Sequence, residues 1–188
     1  MGSRLQLREP ATLVLPTSIR TERLLLQRPR RRDAQAIFDA YARDPEVARH
    51  LTWRTHATVA DTHRFLDEAD RGWSTGADNP YLAWLGDRLV GATGLTRVGP
   101  HRIRTGYLVA RPLWGQGFAG EMAGGMTDLA FDLRLCDTVE ALVDPENPRS
   151  IRVLEKAGFR PEGEATGVHP NLGPGLRTLL RYACVRQG

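Results

Sequence analysis

Hydrophobic positions keep a helical period through the first third of the chain and then fall to an alternation of two. Leu24-Leu25-Leu26 before Arg28-Pro29 predicts a short strand stopped by proline. From Asp33, the residues Ala34, Ile37, Phe38 and Tyr41 recur at helical spacing, so a helix is expected to about Arg43. Asp44-Pro45 breaks it, and Val47 to Leu51 make a further turn. Val59 to Trp73 carries Phe65, Leu66 and Ala69, a second amphipathic helix with an acidic outer face. After the turn-forming stretch 73–80 the period changes. Tyr81 to Leu85, Arg88 to Leu95 and Ile103 to Val109 predict three strands split by Gly86-Asp87 and Gly99-Pro100, an antiparallel meander. Met122, Met126, Leu129 and Leu133 form the core stripe of a helix, and Thr138 to Val143 is the near-continuous apolar strand expected beside a parallel neighbour. Asn147-Pro148 opens a helix ending at Gly158, and strands follow over the residues after Gly158 and over 178–185. The pattern is one α+β domain over 19–188, with 1–18 as a flexible lead-in.

Composition narrows the class. With 188 residues and 41% hydrophobic content, one core is expected. No apolar run approaches the roughly 18 residues of a membrane helix, and no signal-peptide core follows Met1, so a cytoplasmic, membrane-free protein is expected. The net charge is only +4, although Lys156 is the single lysine and every other basic residue is arginine. Arg28, Arg30, Arg31 and Arg32 raise nucleic-acid binding, against which Asp33 follows at once and no aromatic residue interleaves. Cys136, Cys184 and the five histidines lack metal-ligand spacing, so no metal is expected.

Gly115-Gln116-Gly117-Phe118-Ala119-Gly120 matches the dinucleotide fingerprint, but its context does not. Arg111 to Trp114 intervene after the strand, and too little chain follows for the rest of a doubly wound sheet. The physics of the loop is independent of that label. Small residues let consecutive N–H groups face one concavity, and the following helix adds its positive end, so a diphosphate fits. The bland alternative is a tight strand–helix turn, with Gly124-Gly125 allowing close helix packing. A second motif, Asn147-Pro-Arg-Ser150-Ile-Arg-Val-Leu154-Glu-Lys-Ala-Gly158-Phe159, reads locally as an N-capped, glycine-terminated helix.

Together and in this order, the two motifs resemble the GNAT superfamily of N-acetyltransferases, and within it the RimJ/RimL branch. Thr21-Glu-Arg-Leu-Leu-Leu and Gly106-Tyr-Leu-Val109 agree with that branch, so the resemblance spans roughly Arg20 to Arg186. It implies a mixed, mostly antiparallel sheet of about seven strands, splayed between strands 4 and 5 (103–109 and 138–143) and flanked by about four helices. Acetyl-CoA would enter that V as cosubstrate. Backbone groups of Leu108, Val109 and Ala110 would meet its pantetheine arm. Trp114, which replaces the more usual arginine or glutamine, would open the loop Gly115, Gln116, Gly117, Phe118, Ala119 and Gly120 around the pyrophosphate. Asn147 would reach the pantetheine amides.

The resemblance also implies direct attack by an amine acceptor in a ternary complex, and neither cysteine lies in a motif suggesting an acyl-enzyme. The Val109 N–H would steady the oxyanion. The tyrosine many members carry seven residues after the asparagine is Leu154 here; Ser150 resembles the serine proposed as the acid in RimL-type enzymes, the alternative being a first-turn serine that satisfies backbone. Arg104-Thr105 stand where a carboxylate base often precedes the glycine-tyrosine pair; His169 and His56 lie where related enzymes place acceptor-facing loops and are the candidate bases, with surface histidines or a water-relayed proton as the alternatives. A domain that binds acyl-CoA without turnover stays open, as do the acceptor and a homodimer.

Overall fold

The change of period near residue 76 becomes a change of layer. A computed structural model describes residues 13–168 and 175–187. Strands β1 (Ser18–Arg20) and β2 (Leu25–Gln27) are followed by helices α1 (Ala34–Ile37), α2 (Pro45–Ala48) and α3 (Val59–Thr75). Then come β3 (Asp78–Leu85), β4 (Arg88–Gly99), β5 (Arg102–Val109), α4 (Phe118–Asp132), β6 (Thr138–Val143), α5 (Pro148–Lys156), β7 (Arg160–Val168) and β8 (Leu176–Val185). One mixed sheet runs in the order β1-β2-β3-β4-β5-β6-β8-β7. Every pairing is antiparallel except β5 with β6. The eighth strand beyond the expected seven is β1, three residues too short to show a period.

Local chemistry sets the helix ends. Asp61 accepts the Thr58 and Ala57 N–H groups at 2.8 and 2.9 Å, a capping box at the start of α3, and Gly76 ends that helix with φ 67°. After α1 the helix widens into a π turn over Phe38–Ala42, and the Ala42 carbonyl takes the His56 N–H at 2.9 Å. Asn79-Pro80, expected as turn, is strand. Even-numbered β4 residues turn their hydrogen-bonding groups toward β5, so Gly94 and Pro80 form a non-bonded pair. The missing proline N–H therefore faces away from β4, beyond the last residue that β2 pairs, and costs nothing.

The core gathers Leu24, Leu26, Ile37, Tyr81, Val90, Ile103, Met122, Met126, Leu154 and Phe159, with Leu13 and Leu15 from the expected lead-in also buried. On α4 the buried row is Phe118, Met122, Met126 and Ala130; Leu133, expected in the stripe, lies beyond the helix end and is exposed. The glycine pair in α4 separates cleanly. A Cβ on Gly125 would lie 2.8 Å from Thr21 Cγ2, whereas one on Gly124 would meet nothing within 4 Å. Gly124→Ala is therefore expected to raise stability by about 0.5–1 kcal/mol. Gly125→Ala should lower it by about 1 kcal/mol despite the same propensity gain, as read from urea midpoints.

The parallel pairing is short. Arg102, Ile103 and Arg104 face Thr138, Val139 and Glu140, and there it stops. β5 continues on β4 to Val109 and β6 continues on β8 to Val143, so the two strands part into a V. They are the pair expected as the fourth and fifth strands. At the last rung the buried Glu140 carboxylate takes the Arg104 Nε–H and Nη2–H at 2.8 and 2.6 Å and the Arg102 Nη1–H at 3.2 Å. Arg102 also donates to both oxygens of Glu162, at 2.6 and 2.8 Å. Arg104, the cation expected near the reacting centre, is thus spent on holding the V closed at its base.

Candidate active site

A cleft of about 1170 Å³ opens from the V, between the end of β5, the start of α4 and α5. Ladder parity decides which backbone groups face it. Opposite residues in an antiparallel ladder alternate between exchanging both hydrogen bonds and turning them outward. The Ala110 N–H bonds the Val90 carbonyl at 2.8 Å, so Gly91 and Val109 are a non-bonded pair. The N–H and C=O groups of Tyr107 and Val109 therefore face the opening. Those of Leu108 and the Ala110 N–H, expected to meet the pantetheine, face β4 instead, and the Ala110 carbonyl takes the Leu113 N–H at 2.9 Å. The Val109 carbonyl already accepts the Trp114 indole N–H at 2.7 Å, which leaves its N–H.

Beyond a 3-10 turn at Arg111–Leu113, the glycine loop enters α4 through two left-handed residues, Gly115 (φ 80°) and Gly117 (φ 83°). Only glycine takes these angles without strain. A brace invisible in the motif holds the loop. Glu121, in the first turn of α4, accepts the Arg23 Nε–H and N–H, both at 2.7 Å, and the Thr21 hydroxyl. Burial pushes the Glu121 carboxyl up, but these hydrogen bonds outweigh it and hold the group below the usual carboxylate range. Arg23 Nη1 also donates to the Gln116 carbonyl at 3.0 Å, and its guanidinium lies 4.4 Å from the Phe118 ring centroid. Trp114, Gly115, Gly117, Phe118, Ala119 and Gly120 all line the cleft. Arg149 closes over Trp114 from α5, at 5.5 Å.

At the start of α5 the Asn147 Oδ1 accepts the Ser150 N–H at 3.1 Å, so the cap forms and Nδ2 is the end left for a ligand. The Ser150 hydroxyl lies 2.9 Å from the Tyr107 hydroxyl, which also donates to the Ser150 carbonyl at 3.2 Å. Burial pushes the Tyr107 phenol up to about 12, moderated by that bond to Ser150. Leu154, where many family members carry tyrosine, is buried in the core. A phenol thus does stand beside Ser150, but β5 supplies it. The only trace of it in sequence was the Gly106-Tyr107 pair, to which no chemistry was assigned.

A second cavity of about 630 Å³ shares Leu51, Tyr107 and Leu108 with the cleft. Ile37, Tyr41, Trp53 and Phe65 give it apolar walls, with Asp61, Arg64 and Glu68 among its charged residues. His56 lies in it, its ring 5.3 Å from Trp53 and its Nδ1 2.9 Å from the Thr62 hydroxyl; burial lowers its pKa. The Tyr41 hydroxyl is buried and has no hydrogen-bond partner among the described residues. His169, the other expected base, lies outside the described residues. Arg111, just before the glycine loop, is 3.0 Å from Asp44. In the basic run, Arg28 pairs with Asp70 and Arg31 with Asp67, so the acidic face of α3 neutralises half of it. Neither cysteine lines the cleft, and burial pushes both thiols up. Among the described residues no cluster could hold a metal ion, and no helix is long and apolar enough to cross a membrane.

Residues 23–160 match the family model of the acetyltransferase (GNAT) domain. The uncharacterized N-acetyltransferase p20 of Bacillus licheniformis is 29% identical over 147 residues, covering 76% of this chain and 82% of its own. A GNAT-family acetyltransferase from Bacillus anthracis is 26% identical, with a TM-score of 0.75 over 89% of this chain and 98% of that one. RimJ of Mycobacterium smegmatis, solved with a CoA-disulfide, shares the fold at 23% identity and a TM-score of 0.73, over 89% of this chain and 85% of its own. The V between β5 and β6, the glycine loop and the capped α5 are thus parts of one known architecture, and the chain belongs to the GNAT acetyltransferase family.

Proposed function

We propose that the protein is an acetyl-CoA-dependent N-acetyltransferase in which an amine acceptor attacks the thioester directly, in a ternary complex. The observation that carries this reading is the junction of the two cavities. There Tyr107, whose hydroxyl pairs with Ser150, lines both cavities, and the outward-facing Val109 N–H lies two residues further along the same strand in the first cleft. Each part has one task. The N–H groups from Gly115 to Gly120, at the positive end of α4, hold the diphosphate, and the Asn147 Nδ2 reaches the pantetheine. The Val109 N–H donates to the oxyanion, a contribution of about 3 kcal/mol in comparable sites. The hydroxyl pair passes a proton to the departing thiolate, with Ser150 on α5 in front and Tyr107 on β5 behind it. The apolar cavity seats the body of the acceptor and brings its nitrogen to the junction from the Leu51 and Leu108 side.

The test is thiol release from acetyl-CoA across a panel of primary amines, with Tyr107→Phe beside the wild type. Wild-type turnover is expected, and Tyr107→Phe should lose about tenfold to a hundredfold in kcat, the range for a removed general acid, with CoA affinity unchanged. Measurable CoA binding without thiol release from any amine would favour a CoA-binding sensor instead.

A further inference from the structure

The geometry points to His50 as the general base, oriented by Asp144, a role that rests on the acetyltransfer reading above. His50 lies in the turn after α2 and lines the donor cleft together with Val109, Asn147 and Ser150. Its neighbour Leu51 lines both cavities. Its Nδ1 stands 3.0 Å from Asp144 Oδ2, a contact between residues 94 positions apart. Asp144 directly follows β6, is 4% exposed, and accepts the Glu146 N–H at 2.9 Å through its other oxygen. The pair therefore ties the helical layer to the tip of the strand that forms one wall of the V.

An ionised carboxylate only accepts, so the neutral ring carries its proton on Nδ1 and presents the Nε2 lone pair. A base oriented by a third group is the arrangement that activates a nucleophile at neutral pH. Here Nε2 takes one proton from the acceptor ammonium. The freed nitrogen forms the C–N bond to the acetyl carbon. The C–S bond then breaks with its pair on sulfur, and the proton shed by the adduct nitrogen matches the one the thiolate takes up. Asp144 is a positioning residue: it acts only through the ring. The charged groups sharing the cleft with His50 are Glu46 and Arg49 on its own segment, Glu22 and Arg23 after β1, Glu121 on α4, Glu146 after β6, and Arg149, Arg152 and Lys156 on α5. Tyr107 across from it stays neutral through the working range.

The test compares wild type, His50→Gln and Asp144→Asn for thiol release from acetyl-CoA. Spermidine, phenethylamine and a tetrapeptide with a free N-terminus serve as acceptors, and the fastest is followed from about pH 6 to 9.5. His50→Gln should lower kcat about 100-fold and remove the acid limb of the profile, with CoA affinity, by calorimetry, within about twofold of wild type. Asp144→Asn should lower kcat about tenfold in the wild-type background and leave the His50→Gln rate unchanged, because it acts only through the ring. A His50→Gln profile with wild-type shape and rate overturns the assignment, and so does activity lost only in step with CoA affinity. No thiol release by wild type with any of the three amines would remove the acetyltransfer reading itself, and this role with it.

Discussion

Gly117→Glu is expected to weaken CoA binding about 1000-fold while the protein still folds. Two effects combine. Gly117 caps α4 at φ 83°, where any side chain is strained by about 1–2 kcal/mol. The larger effect is electrostatic. The substitution places a carboxylate at the positive end of α4, in the concavity assigned to the diphosphate, so like charges meet where the site is built for an anion. A Cβ there lies 3.4 Å from Arg23 Nη2, which draws the new carboxylate onto the loop's own brace. Gly117→Ala carries the backbone strain without the charge and should cost CoA binding about tenfold or less. Calorimetric titration of CoA into both variants separates the two contributions. Unchanged affinity in Gly117→Glu, with an intact thermal transition, would show that the diphosphate sits elsewhere.

Glu140→Gln should lower stability by about 3 kcal/mol, more than any other single change considered for the sheet. The carboxylate is buried and bonded by Arg102 and Arg104, with Arg181 Nε 3.7 Å away. Removing its charge leaves guanidinium groups crowded at the base of the V, where each is only about a third exposed. An uncompensated, half-buried charge is what makes breaking such a cluster expensive, whatever its net worth when intact. Because Arg104 and Glu140 form the last parallel rung, the opening should also lengthen, and CoA affinity should fall secondarily. Chemical denaturation reads the first effect. A loss within about 0.5 kcal/mol would mean that the cluster behaves as a surface network, screened by water.

The chain announces its local structure well because each signal is short-ranged. The turns at Gly86 and Gly99 and the Asn147-Pro148 helix start each depend on neighbours within one or two turns. The glycine loop was legible for the same reason: positive φ at Gly115 and Gly117 is a property of single residues. Boundaries slipped where a partner decided them. Pro80 is strand because β2 ends before it, and Leu133 is exposed because α4 stops at Asp132.

The site divides along the same line. Sequence alone determined the order of elements, the glycine loop that leads into α4, and the resemblance that made acetyl-CoA the expected donor. Tertiary structure decided which atoms face the cleft. Ladder parity selects the Tyr107 and Val109 backbone over that of Leu108 and Ala110, since only the pairing with β4 says which groups are already bonded. It also brings Arg23 to Glu121, Tyr107 to Ser150 and His50 to Asp144, contacts 98, 43 and 94 positions apart. The reason is physical: backbone angles and caps are set by adjacent residues, whereas catalytic geometry is set by side chains that meet only after the sheet has closed around them.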